Sequence, residues 1–180
     1  MTTANKLTLL RMALIPVFLG VLYAGLPRGL ALGIFIVASL TDTLDGYIAR
    51  HYNQITDFGK FMDPLADKVL VMAAMCWFVE AGRMPGWVLA IVLFREFAVS
   101  GMRLVAVEQG RVIAAGWSGK VKTAATMVCL CLMLLIGAPG IGDSAPDFIA
   151  QISNIVIVAT TLYSGAEYFI KNRDVFKNAK

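Results

Sequence analysis

The chain has 180 residues, 58% of them hydrophobic and only 16% charged, with a mean hydropathy of +0.73. That balance lies outside the range of water-soluble domains and points to a membrane protein. The net charge of +4 is carried without any basic stretch interleaved with aromatics on a soluble domain, which argues against nucleic acid as a partner.

Six apolar runs follow one another, near residues 7–25, 29–50, 60–82, 86–108, 118–138 and 148–170. Roughly 17 to 25 apolar residues suffice for a helix to cross a bilayer. The expected fold is therefore all-α: a polytopic integral membrane protein of six transmembrane helices forming one domain over residues 1–180. The first run follows Lys6 as a signal peptide would, but it has no small-residue cleavage site and contains Arg11 and Pro16, so it reads as a mature span. Gly25-Leu26-Pro27, Gly82 with Pro85-Gly86, and Gly137-Ala138-Pro139-Gly140 mark turns after the first, third and fifth runs. Trp87 and Trp117 sit at span ends, where interfacial anchors are expected. Cys76, Cys129 and Cys131 fall inside apolar runs without metal-ligand spacing and are expected only to pack.

Loop charges set the orientation. One side receives Lys6, Arg50, Lys60, Arg111, Lys120, Lys122 and the tail Lys171, Arg173, Lys177 and Lys180, whereas the other receives only Arg28 and Arg83. By the positive-inside rule both termini are cytoplasmic, and the basic face suits anionic headgroups or phosphorylated substrates.

Between Asp42 and Asp67 this apolar chain places five of its twelve acidic residues. Asp42 and Asp45 are three apart and Asp63 and Asp67 four apart, so each pair shares a helix face. A loop around His51 to Thr56 would make the two helices antiparallel neighbours, bringing four carboxylates together near the cytoplasmic boundary; His51 itself reads as a solvated loop residue. Such a cluster requires protons, basic side chains or cations to compensate it. Two divalent ions would balance four aspartates, and hard oxygen donors favour Mg²⁺ or Mn²⁺, so a two-metal phosphoryl-transfer site is the natural chemistry. Gly46 and Ala49 lie within about 40° of Asp42 around the helix, Gly59 stands one turn before Asp63, and Arg50 lies two turns beyond Asp42. These small residues leave room for a ligand beside a guanidinium fork suited to phosphate, or else they merely let helices pack closely.

The pattern D-x2-D-G-x2-A-R-x8-G-x3-D-x3-D, realised by Asp42, Asp45, Gly46, Ala49, Arg50, Gly59, Asp63 and Asp67, resembles the signature of the CDP-alcohol phosphatidyltransferases. Members of that family are integral membrane enzymes that displace CMP from a CDP-linked lipid or alcohol with a second alcohol. The resemblance implies that Asp42, Asp45 and Asp63 bind metal, that Asp67 is both a ligand and the general base, and that Gly46, Ala49, Arg50 and Gly59 line the cytidine diphosphate pocket. "NKLTLLR" is similar to the family's start, which would bring Asn5, Thr8 and Arg11 to the same site. It also implies CDP-diacylglycerol as donor, a homodimer among membrane lipids, and a multi-pass protein of the bacterial inner membrane with its site facing the cytoplasm.

The acceptor is read from the second half. Arg95 and Arg103 are eight apart, roughly on one face, and descend toward "GKVKT", which carries Lys120 and Lys122. An intramembrane arginine is costly and implies function, so these cations are expected to converge on the phosphate of the acceptor. "REF", "GMR" and "GKVKT" are similar to the corresponding pieces of phosphatidylglycerophosphate synthases, a branch whose acceptor is glycerol 3-phosphate. Other readings are that Arg95 pairs with Glu96 or another acid, that the acceptor is an inositol phosphate or phosphatidylglycerol, or that the acid cluster serves a cation transporter or a non-catalytic scaffold. A transporter would need acids along a path to the outer half, where only Glu80, Asp143 and Asp147 lie, all at the rim. Glu108 and Glu167 are expected to pair with nearby basic residues.

Overall fold

The structure is a computed structural model describing residues 3–51, 57–111, 113–114, 116–136 and 146–174, with side chains described over 7–41, 62, 65–111, 113–114, 116–136 and 148–174. Six helices make up these residues: α1 (Thr3–Tyr23), α2 (Arg28–His51), α3 (Asp57–Glu80), α4 (Gly86–Glu108), α5 (Trp117–Leu135) and α6 (Pro146–Lys171). Each covers one expected apolar run. His51 is the last residue of α2 rather than part of a loop; the connection beyond it, residues 52–56, lies outside the described residues.

Glycine and proline set the boundaries. Gly25, Gly82 and Gly110 adopt φ of 67°, 70° and 71°, a conformation that side-chain-bearing residues resist. Behind each, two backbone bonds close the helix: Leu26 N donates to Val21 O at 3.1 Å and Gly25 N to Leu22 O at 3.2 Å, with equivalent pairs at Arg83 to Phe78 and Arg111 to Ala106. This is the Schellman arrangement, which satisfies the last helical carbonyls. Pro27 precedes α2, Pro85 caps α4 in an extended conformation and Pro146 opens α6, positions where a missing N–H costs nothing.

Short connections make consecutive helices antiparallel. α1 packs on α2 and α3, α5 on α6 and α2, and α4 on α6 and α3. Phe18 and Phe35 meet in the core with ring centroids 5.7 Å apart, beside Leu70, Met75, Phe78, Leu130 and Ile157. Ala31, Ala38, Ala66 and Ala74 are fully buried and let the backbones approach. A second, smaller cluster joins Val99, Met102 and Ala106 of α4 to Tyr168 of α6.

Polar side chains are buried beside the apolar core, and large apolar side chains are left on the outside. Arg11, Thr8, Lys122, Thr126, Ser153, Asn154 and Ser164 are buried, whereas Phe94, Phe97, Leu104, Ile155 and Ile170 are more than 65% exposed. Among the described residues, α5 and the Phe148–Lys171 part of α6 are long and apolar enough to cross a bilayer, and the apolar stretches of α1 and α2 are shorter, Leu7–Tyr23 and Arg28–Thr41. The remaining helices are interrupted by charge, α3 by Asp63, Asp67 and Lys68 and α4 by Arg95, Glu96 and Arg103. Of these, Asp67, Lys68, Arg95, Glu96 and Arg103 line one cavity. Cys129 is buried and Cys131 half-buried as expected, but Cys76 is exposed on α3, where it packs against little of the chain itself.

Candidate active site

α2 ends and α3 begins with the acidic pattern. Asp42, Asp45, Gly46, Ala49 and Arg50 lie on the last turns of α2, Gly59 and Asp63 on the first turns of α3, and Asn5 on the first turn of α1. Their side chains fall outside the described residues. α2 and α3 are in contact, so the backbone brings the two acidic segments to one end of the bundle, the end where α1 also begins. There Thr8 and Arg11, one turn apart on α1, are completely buried, and Arg11 Nε lies 3.5 Å from Thr41 Oγ1, the residue before Asp42. Thr41 in turn donates to Ala38 O at 2.6 Å. The polar face of α1 therefore sits against the start of the acidic segment.

Asp67 opens onto a cavity of about 530 Å³ bounded by α2, α3, α4 and α5. Arg95, Arg103, Lys120 and Lys122, singled out from sequence as one basic group, all line it. Ser39, Thr123 and Thr126 add hydroxyls, and Val71, Met72, Val99 and Met127 close the apolar side. The volume is in the range of small-molecule sites.

The charges are organised around Glu96. Its Oε1 accepts from Arg95 Nη1 at 2.9 Å and from Lys122 Nζ at 2.7 Å, and its Oε2 lies 3.6 Å from Lys68 Nζ. Lys122 is only 5% exposed along its side chain, so its charge could not be held there without a carboxylate beside it. Arg95 is fixed further by Nη2, which donates to Ser164 Oγ of α6 at 2.8 Å. Two glycines flank it: a Cβ on Gly119 would stand 3.5 Å from Arg95 Nη2 and one on Gly165 3.4 Å from Arg95 Cγ, ordinary contacts that leave no room for a larger side chain. Arg95 thus threads between α5 and α6, leaving Nε buried without a hydrogen-bond partner among the described residues. Arg103 donates from Nε to Tyr168 Oη at 3.1 Å, its guanidinium 5.6 Å from that ring's centroid. Arg95 pairs with Glu96, as one of the sequence alternatives had it, and the same side chain lines the cavity.

Sequence reasoning missed Lys68, Ser100, Ser164 and Tyr168. Lys68 follows Asp67 directly, lines the same cavity and donates to Ser100 Oγ at 2.6 Å. Its position beside the last aspartate was visible; its partner on α4 was not. Outside the site, Glu167 pairs with Lys171 as expected.

The donor set fits divalent metal by its chemistry. Four aspartates at the joined ends of α2 and α3 offer hard, anionic oxygens, and the one whose side chain is described, Asp67, faces the cavity. Among the described residues alone no cluster of three metal-ligating side chains occurs.

The sequence model of the CDP-alcohol phosphatidyltransferases matches residues 1–163. The chain belongs to that family. It is also similar to the CDP-diacylglycerol–glycerol-3-phosphate 3-phosphatidyltransferase of Bacillus subtilis (strain 168), with 42% identity covering 97% of each chain. An enzyme of the same name from Rickettsia bellii is 35% identical over 92% of each chain. Another, from Salmonella paratyphi A, is 45% identical over 71% of this chain and 74% of its own. Like other CDP-alcohol phosphatidyltransferases, this chain is expected to work at a membrane, and its apolar exterior agrees with that setting.

Proposed function

We propose that the protein transfers the phosphatidyl group of CDP-diacylglycerol to sn-glycerol 3-phosphate, releasing CMP and forming phosphatidylglycerophosphate for phospholipid biosynthesis. The observation that carries the reading is one cavity that Asp67 lines together with Arg95, Arg103, Lys120 and Lys122. The relatives that bear this enzyme's name over nearly the whole chain support the same reaction.

Asp67 takes the proton of the acceptor's primary hydroxyl as that oxygen attacks the phosphorus bearing the diacylglycerol. The bond from this phosphorus to the CMP oxygen breaks, CMP departs and the proton is later lost to water. Asp42, Asp45, Asp63 and Asp67 would hold two divalent ions, Mg²⁺ or Mn²⁺, and such ions would supply charge neutralisation for the diphosphate and its leaving group. Gly46, Ala49, Arg50 and Gly59, with Asn5 and Thr8, receive the cytidine diphosphate. Arg95, Arg103, Lys120 and Lys122 hold the acceptor's phosphate and so orient its hydroxyl toward Asp67, which is positioning catalysis. An uncharged acceptor such as free inositol would leave this basic wall unmatched.

Residues 1–180 form one transferase domain. Six helices span the bilayer with both termini in the cytoplasm, and the site opens to that side of a bacterial inner membrane. There the acyl chains of the donor stay in hydrocarbon while its diphosphate reaches water. The protein works as a homodimer. The test is turnover by purified protein with CDP-diacylglycerol and a panel of acceptors: preference for glycerol 3-phosphate supports the reading, and preference for inositol phosphate or phosphatidylglycerol replaces the acceptor.

A further inference from the structure

Glu96 and Lys68 are the charged residues of the cavity to which the reaction above gives no part. Glu96 is 14% exposed along its side chain, and one carboxylate touches cations from three helices: Lys68 of α3, Arg95 of α4 and Lys122 of α5. The contacts are unequal. Arg95 and Lys122 share Oε1 at hydrogen-bonding distance, whereas Lys68 stands 3.6 Å from Oε2, beyond a good hydrogen bond, and is 39% exposed along its side chain. Its close contact is the neutral hydroxyl of Ser100 at 2.6 Å. Among the described residues an ammonium so placed has one close hydrogen bond out of three donors, and as the residue after Asp67 it stands next to the proposed base.

We propose that Lys68 is a fifth cation for the acceptor's phosphate and that Glu96 is the positioning residue gathering Lys68, Arg95 and Lys122 onto one wall of the cavity. When a phosphate enters, Lys68 exchanges its long contact with Glu96 for a phosphate oxygen, while Arg95 and Lys122 stay anchored. The proposal rests on the acceptor being phosphorylated, as in the reading above, but not on its being glycerol 3-phosphate.

Two roles for Glu96 predict opposite signs. If net charge alone governed binding, removing the carboxylate would make the wall more positive and tighten phosphate binding. If Glu96 positions, its loss lets three like charges spread apart and binding weakens. Steady-state kinetics on purified full-length Lys68→Met, Lys68→Arg, Glu96→Gln and Glu96→Asp separate these roles. Lys68→Met should raise the KM for glycerol 3-phosphate about ten-fold or more, with the KM for CDP-diacylglycerol and kcat within about three-fold, and Lys68→Arg should recover most of the loss. Glu96→Gln should raise the same KM, with Glu96→Asp intermediate. Inorganic phosphate tests the site without turnover: it should raise the melting temperature of wild-type protein, and raise that of Lys68→Met markedly less. A Lys68→Met protein with unchanged acceptor KM and unchanged phosphate stabilisation would overturn the assignment of Lys68. A fall in acceptor KM on Glu96→Gln, or an equal rise in both KM values, would overturn the positioning role. Failure of wild-type protein to use glycerol 3-phosphate while phosphate still stabilises it through Lys68 would displace the acceptor and leave this inference standing.

Discussion

Asp67 and Lys120 show how differently single residues enter this account. Asp67→Asn keeps size and loses the base, so turnover should fall by about 10²- to 10⁴-fold, with loss of a metal ligand adding to it. Binding of CDP-diacylglycerol should survive in part, because the other three aspartates and the nucleotide pocket remain; a variant turning over near the wild-type rate would move the base elsewhere. Lys120, exposed at the cavity edge, is the cleanest probe of acceptor binding. Lys120→Ala should raise the KM for glycerol 3-phosphate about ten-fold or more, as loss of a charge-assisted bond does, and leave that for CDP-diacylglycerol nearly unchanged. Arg95→Ala is less clean, since Arg95 also ties Glu96 to Ser164, so its loss removes an anchor of the basic wall as well as one of its cations. The aspartate pairs and the eight-residue step from Arg95 to Arg103 were legible because they recur on the helical period. Lys68, Ser100, Ser164 and Tyr168 were not, because each acquires meaning only from a partner 32 to 69 residues away.

At the level of elements, sequence placed all six helices to within a few residues, since Gly25-Leu26-Pro27 and Gly82 with Pro85-Gly86 mark turns between them; the turn at Gly110 was not read from sequence. What it did not reveal is how Arg95 passes between α5 and α6. Gly119 and Gly165 read only as small residues in apolar runs, yet each stands against the Arg95 side chain. Gly165→Ala, whose Cβ would make an ordinary contact, should act near the wild-type rate. Gly165→Ile should displace Arg95 and raise the acceptor KM; equal kinetics in both variants would show that the threading is not needed. Gly110→Ala places a side chain at φ of 71° and should cost about 1 kcal/mol, read as a lowered melting temperature in detergent.

Across the whole molecule, large apolar side chains face outward, and the loop charges of the sequence read by the positive-inside rule assign both termini to the cytoplasm. Reporter fusions at the C-terminus should therefore signal from the cytoplasm, and an external signal would reverse the proposed orientation and relocate the site. Exhaustive chelation should abolish turnover and added Mg²⁺ or Mn²⁺ restore it, because four aspartates at the α2–α3 end demand compensating charge; full activity in chelator would remove the two-ion scheme. Composition made the all-helical, apolar character plain, whereas convergence of four helices on one cavity could not be read from any segment alone. The central claim is the identity of the reaction. Purified protein given labelled CDP-diacylglycerol and equimolar glycerol 3-phosphate, inositol phosphate and phosphatidylglycerol should release CMP and form phosphatidylglycerophosphate as its dominant lipid product. Formation of a different lipid, or no CMP release with any acceptor, would contradict it.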